Sequence, residues 1–256
     1  MIRAAIFGLV GLLIGSFLTV VIYRIPRKES IVTGRSRCPS CGAIVRARDN
    51  VPVISWLLLR GRCRSCGAPI SPEYPLTELA MAALAAGASL EFDRPFVAVM
   101  MAAFLATQLA LAVIDARHRI LPNRIIYPAV AGFAVAIIAG ELGNGGVDLL
   151  DAAIGFAAYG GGLLVIALIS PRGMGMGDVK LGFLIGLVLG SVGLRYVAVA
   201  AGLAILGGGL GAGVALATGR TRKSAIPFGP FMAAGAAVSA FLAPEIAGAY
   251  LRLFGA

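Results

Sequence analysis

Two acidic residues stand where acids are costly. Asp178 follows Gly173-Met174-Gly175-Met176-Gly177, wedged between two long apolar runs, and Asp115 closes another apolar run at Ala112-Val113-Ile114-Asp115. An ionisable residue at the end of a membrane helix is a functional-site candidate by default. Two carboxyls that share one proton act on a peptide as base and acid: one activates water, the other protonates the reacting carbonyl oxygen. Glycine at 173, 175 and 177 lets another backbone approach closely beside Asp178. The competing reading of Asp178 is a helix-capping acid with Lys180 as its counter-charge. That reading is weaker for Asp115, because a carboxylate at a helix C-terminus opposes the helix dipole. A glycine-rich run also invites a nucleotide site, but that site needs a strand before and a helix after it. Here apolar spans flank the run.

The four cysteines form a second constellation, Cys38-Pro39-Ser40-Cys41 and Cys63-Arg64-Ser65-Cys66, each pair followed by glycine. Two such knuckles make a closed tetrahedral zinc site with four thiolate ligands, leaving no open position for catalysis. Two disulfides would require an oxidising compartment. Between the knuckles, Val51-Pro52-Val53-Ile54-Ser55-Trp56-Leu57-Leu58-Leu59 is too short to span a bilayer. Trp56 and the leucines either rest on the membrane interface or form the loop's own small core.

These residues must be positioned by membrane helices. The chain is 59% hydrophobic and 13% charged, with a mean hydropathy of +0.92. One soluble core cannot hide that much apolar surface, whereas lipid solvates it. The expected fold is an all-α polytopic membrane protein of about eight transmembrane helices, near 4–23, 76–92, 95–114, 125–140, 149–170, 179–194, 196–218 and 226–250. The expected organisation is a first transmembrane helix over 1–23, a small cytoplasmic zinc-binding module over 24–75 and a polytopic membrane domain over 76–256. Run 4–23 is read as a retained helix, not a cleaved signal. Gly11/Gly15, Gly182/Gly186/Gly190 and Gly207/Gly211 read as packing seams.

Lys and Arg concentrate on one side of this arrangement: ten in loop 24–75, then Arg117, Arg119 and Arg124, Arg172 and Lys180, and Arg220, Arg222 and Lys223. The positive-inside rule makes that side cytoplasmic. It carries the zinc loop and both aspartates, and both termini lie opposite. The net charge of +10 then reflects cations at lipid headgroups. Nucleic-acid binding would need a basic recognition module, and none is present. His118 either tunes the acidic site or is a solvated loop residue. Glu78 either caps the second span or faces the catalytic cavity.

Together these features resemble the type IV prepilin peptidases. The resemblance rests on Gly15-Ser16-Phe17, Tyr23-Arg24-Ile25-Pro26, the paired knuckles with Ile54-Ser55-Trp56 and Arg60-Gly61-Arg62-Cys63, and Tyr74-Pro75-Leu76-Thr77-Glu78. It continues through Ile114-Asp115, Leu121-Pro122-Asn123, Gly175-Met176-Gly177-Asp178-Val179-Lys180-Leu181 and Ile226-Pro227-Phe228-Gly229-Pro230-Phe231. It implies that Asp115 and Asp178 are catalytic and that Cys38, Cys41, Cys63 and Cys66 bind zinc in a cytoplasmic domain. It further implies cleavage of a short basic leader from prepilins or pseudopilins at the cytoplasmic face of the bacterial inner membrane. S-adenosylmethionine-dependent N-methylation of the new N-terminus follows, in pilus or type II secretion pathways. Asn123 departs from the aspartate that many members carry there. Two other classes compete: a transporter or channel with a structural zinc loop, in which the aspartates bind a translocated cation, and a zinc-anchored scaffold of a secretion machine. Transporter sites usually lie at the midplane, whereas both acids here end helices on one side.

Overall fold

The computed structural model describes residues 1–171, 173–218 and 227–254. Arg172, Arg220, Arg222, Lys223 and Ile226, which entered the sequence reading, lie outside the described residues.

All eight expected segments are helical. They are α1 (Ile2–Arg24), α3 (Glu73–Glu91), α4 (Pro95–His118), α5 (Asn123–Leu142), the composite α6 (Leu149–Phe156)–α7 (Gly162–Ile169), α8 (Met176–Gly190), α9 (Leu194–Ala217) and α10 (Gly229–Phe254). A π-helical turn, Ala157–Gly161, joins α6 to α7. A short helix, α2 (Ile54–Leu58), lies in the cysteine loop. Among the described residues, six helices are long and apolar enough to cross a membrane; α3 and α8 fall short of that measure. Helix α8 has 15 residues, about 22 Å at 1.5 Å per residue, against a hydrocarbon core of about 30 Å. It is also among the most enclosed helices, with every residue from Leu184 to Gly190 buried. Protein, not lipid, surrounds most of it.

The chain divides into two compact units, Met1–Leu90 and Glu91–Ala256. In the first, α1 and α3 form an antiparallel pair. A methyl group at Gly15 would lie 2.7 Å from Glu78 Cα, and one at Gly11 would lie 2.8 Å from Ala82 Cα. Only glycine allows backbones that close. The Arg3 guanidinium donates to Ser89 Oγ at 3.1 Å, which ties the start of α1 to the end of α3. The other face of α1 presents Ile6, Leu9, Leu13 and Phe17 outward, as a lipid-facing helix does.

In the second unit, α4 is enclosed over 67% of its most apolar stretch. Helix α10 packs on α9 and α4, and α6 packs on α8. The α6–α8 contact is a glycine seam. A methyl at Gly186 would collide with the Gly155 carbonyl, and one at Gly190 would lie 2.5 Å from the Asp151 carbonyl oxygen. The α9–α10 contact uses Gly211, where a methyl would lie 2.5 Å from Phe231 Cζ. All three expected seams are therefore helix contacts. Caps set the ends of the helices that carry the acids. Pro95 opens α4 after Arg94, where its missing N–H costs nothing. Arg119 ends α4 in the left-handed conformation, its N–H donating to the Asp115 carbonyl.

Candidate active site and metal centre

Asp115 sits one turn before the end of α4 and is 5% exposed. Its carboxylate faces the start of α10, where the Gly229 backbone N–H donates to it. A free N–H in the first turn of a helix, with the dipole behind it, is a natural partner for an anion. Glycine is required there for space, since a methyl at 229 would lie 2.5 Å from Asp115 Oδ2.

Asp178 is the third residue of α8, half-buried. Gly175 is the N-cap in extended conformation, and its N–H donates to the Asp178 carboxylate. This is the acidic half of a capping box, the third helical residue reaching back to the cap. The capping reading of Asp178 is thus correct, and it coexists with a second relation: the Asp115 charge acts on the Asp178 carboxyl. The fold brings the two acids into one electrostatic neighbourhood. Lys180 is not the counter-charge of Asp178. Its ammonium donates to Asn123 Oδ1 at 3.0 Å and lies 5.3 Å from the Tyr127 ring centre. Asn123 therefore pins the start of α5 to the first turns of α8. His118 is exposed at the end of α4, as its solvated reading expects.

Three residues of this neighbourhood escaped the sequence reading as site residues. Gly229 was visible only inside a motif, flanked by proline and phenylalanine. Tyr159 lies in the π turn and feels the Asp178 charge. Gln108 lies on α4 two turns before Asp115, hence on the same face. A single phenol and a single amide inside apolar runs were the available signals.

The four cysteine sulfurs all lie within 4.8 Å of one another, and Cys38 Sγ is 3.9 Å from Cys66 Sγ. No disulfide joins them. A tetrahedron with arms of about 2.3 Å has edges of about 3.8 Å, so the cluster has the dimensions of a four-thiolate metal site. The two knuckles repeat one design. Cys38 N–H donates to the Ala43 carbonyl and Cys63 N–H to that of Ala68; Gly42 and Gly67 N–H donate back to Cys38 and Cys63. Both glycines have positive φ, 71° and 72°. The Cys38 thiol is pulled down to about 6, chiefly by the backbone N–H groups of Cys41 and Ser40. Asp49 takes Arg64 of the second knuckle in a short ion pair of 2.6 Å, and that guanidinium holds the Asp49 carboxyl below its ordinary range.

The reading of the intervening apolar stretch as the module's own core holds for Trp56. Trp56 donates to the Ile70 carbonyl at 3.1 Å and packs over Gly61, so it belongs to the module. Ile54, Leu57 and Leu58 remain exposed. Glu78 takes a role not foreseen for it: buried in α3, it accepts the Val53 N–H at 2.7 Å. Val53 has φ 60° and ψ −52°, a strained conformation for a β-branched residue, and the Glu78 carboxylate anchors it.

Comparison with known proteins bears on both constellations. The bacterial peptidase A24 N-terminal domain matches residues 9–92, the segment with all four cysteines. The type IV leader peptidase family matches residues 102–212, the segment with both aspartates. The prepilin leader peptidase/N-methyltransferase of Bacillus subtilis is 34% identical over 97% of this chain and 98% of its own. Proteins of the same name from Burkholderia pseudomallei and Aeromonas hydrophila are 35% and 34% identical over 96% of this chain, and 86% and 93% of theirs. No solved structure matches the chain. Relatives that run with this sequence from end to end, through both the cysteine knuckles and the paired acids, make it a member of the type IV leader peptidase family.

Proposed function

We propose that this protein cleaves the short basic leader of a prepilin or pseudopilin and N-methylates the new N-terminus. Asp115 and Asp178 are the catalytic pair. The observation that carries the proteolytic half is the electrostatic meeting of these two acids, each with a backbone N–H on its carboxylate. In the proposed mechanism the ionised carboxyl takes a proton from water, whose oxygen attacks the scissile carbonyl carbon. The protonated carboxyl delivers its proton to the carbonyl oxygen. The carboxyl that took the water proton then passes it to the scissile nitrogen while the other takes one back from a hydroxyl of the tetrahedral intermediate, and the C–N bond breaks to leave a carboxyl group on the leader and an amine on the mature chain. Gly229 and Gly175 hold the carboxylates in place throughout; they neither gain nor lose protons.

Zinc is the metal that the four-cysteine cluster suits, because thiolates at these separations match its tetrahedral preference. Cys38, Cys41, Cys63 and Cys66 fill all four positions, so the ion's contribution is to hold the loop folded. The module and the active acids are assigned to the cytoplasmic side from the Lys/Arg distribution. Methyl transfer is supported by the relatives' names; S-adenosylmethionine is the proposed donor, and no side chain is assigned to it.

The test is co-expression with a prepilin and mass spectrometry of its N-terminus. Asp115→Asn and Asp178→Asn are each expected to abolish leader removal while the protein still inserts in the membrane. Normal processing by either variant rules out the pair. Ion flux through liposomes without peptide cleavage would favour the transporter reading.

A further inference from the structure

Among the described residues, only two buried side chains carry polar atoms without a partner: Gln108, at both amide atoms, and Tyr159, at its hydroxyl. They are 2% and 7% exposed. Burying such a group unpaired is destabilising, so each calls for a reason. Their placement supplies one. Gln108 lies on the Asp115 face of α4, two turns or about 10 Å deeper along the helix. Tyr159 lies in the π turn Ala157–Gly161, and π turns recur at functional sites. The next residue, Gly160, brings that turn against α8: a methyl there would lie 2.7 Å from Phe183 Cα, and a methyl at Gly182 would lie 3.5 Å from Gly160 Cα. Gly182 is one turn beyond Asp178 on the same face. The two orphaned polar side chains thus accompany the two acids, one each.

The substrate's chemistry explains what they are for. A peptide bond inside a helix is not open to attack, so the segment around it must unwind. Unwound backbone in hydrocarbon leaves N–H and C=O groups that lipid cannot satisfy. We infer that Gln108 and Tyr159 are the enzyme's hydrogen-bond partners for the unwound main chain of the substrate around the scissile bond. An amide offers both a donor and an acceptor, as a peptide group requires; a phenol offers a donor to a carbonyl. At about 3.3 Å per residue, Gln108 meets the substrate about three residues from the scissile bond, on the side that lies deeper along α4. Tyr159 serves the segment beside Asp178. Neither exchanges a proton in the reaction. This contact depends on main chain alone, so it suits substrates with different side chains.

The inference rests on the aspartate reading, and the test separates the two. Gln108→Met and Tyr159→Phe remove the polar atoms and keep the shape. Purified variants are compared with the parent and with Asp115→Asn, by kcat/KM on a full-length prepilin in proteoliposomes and by thermal unfolding. Each variant is expected to lose tenfold or more in kcat/KM while melting at or above the parent's temperature, since an unpaired buried group has been removed. Cleavage within twofold of the parent by both variants, beside an inactive Asp115→Asn, overturns the inference alone. A melting temperature that falls in step with activity also overturns it, because the groups then have partners within the folded protein. An active Asp115→Asn overturns the aspartate reading itself.

Discussion

At the scale of single residues, the site depends on groups that carry no charge. Gly229 is the clearest. Its N–H reaches Asp115, and its missing side chain leaves the space in which Oδ2 sits. Gly229→Ala forces either the carboxylate or the start of α10 to move. A displacement of about 1 Å in a catalytic group costs about 100-fold in rate. Leader cleavage is therefore expected to fall by roughly that factor, with bound metal unchanged by elemental analysis. The acids themselves were legible in the sequence, because a carboxylate ending an apolar run has few bland explanations. Gly229 and Tyr159 were not. Their meaning is a contact with an acid carried on another helix, and neither composition nor spacing encodes that contact. Lys180 illustrates the same limit: proximity in sequence suggested Asp178 as its partner, and the fold gave it Asn123.

At the scale of elements, small residues decide which helices meet. The three seams were readable as glycines four apart, because close approach in lipid has few other sequence solutions. Their partners were not readable. Gly186 meets Gly155 backbone to backbone, while Gly182 meets the end of the flexible Leu163 side chain. Gly186→Ala is expected to destabilise the protein by about 1–3 kcal/mol, as overpacking of a tight contact does. Gly182→Ala is expected to cost less. Gly161→Ala, with open space around it, serves as the neutral control. Unfolding in mild detergent orders the three. Helix ends were not legible from the apolar pattern alone. Span six, expected over 179–194, in fact starts at Met176, because Gly175 and Asp178 close its first turn earlier than the apolar pattern alone suggests.

At the scale of the whole molecule, the chain joins a stapled loop to a bundle of membrane helices. The proposed metal ion is what staples the loop, since among the described residues its backbone forms only isolated bridges, short turns and the five-residue helix α2. Elemental analysis is expected to give one zinc per chain, reduced severalfold in Cys63→Ser and unchanged in Asp178→Asn. The division of labour was visible in the sequence as two separate clusters of chemistry. The count of true crossings was less visible, because hydropathy marks apolar runs whether lipid or protein surrounds them. Helix α8 is the instructive case, apolar from Leu181 to Gly190 yet only 15 residues long in all. A rod shorter than the oily layer cannot reach both of its surfaces, so the depth of its acidic tip is tied to the thickness of the surrounding lipid. Longer acyl chains would draw that tip further from bulk water, the reactant of the proposed cleavage. Turnover in vesicles should therefore decline as the lipid tails lengthen.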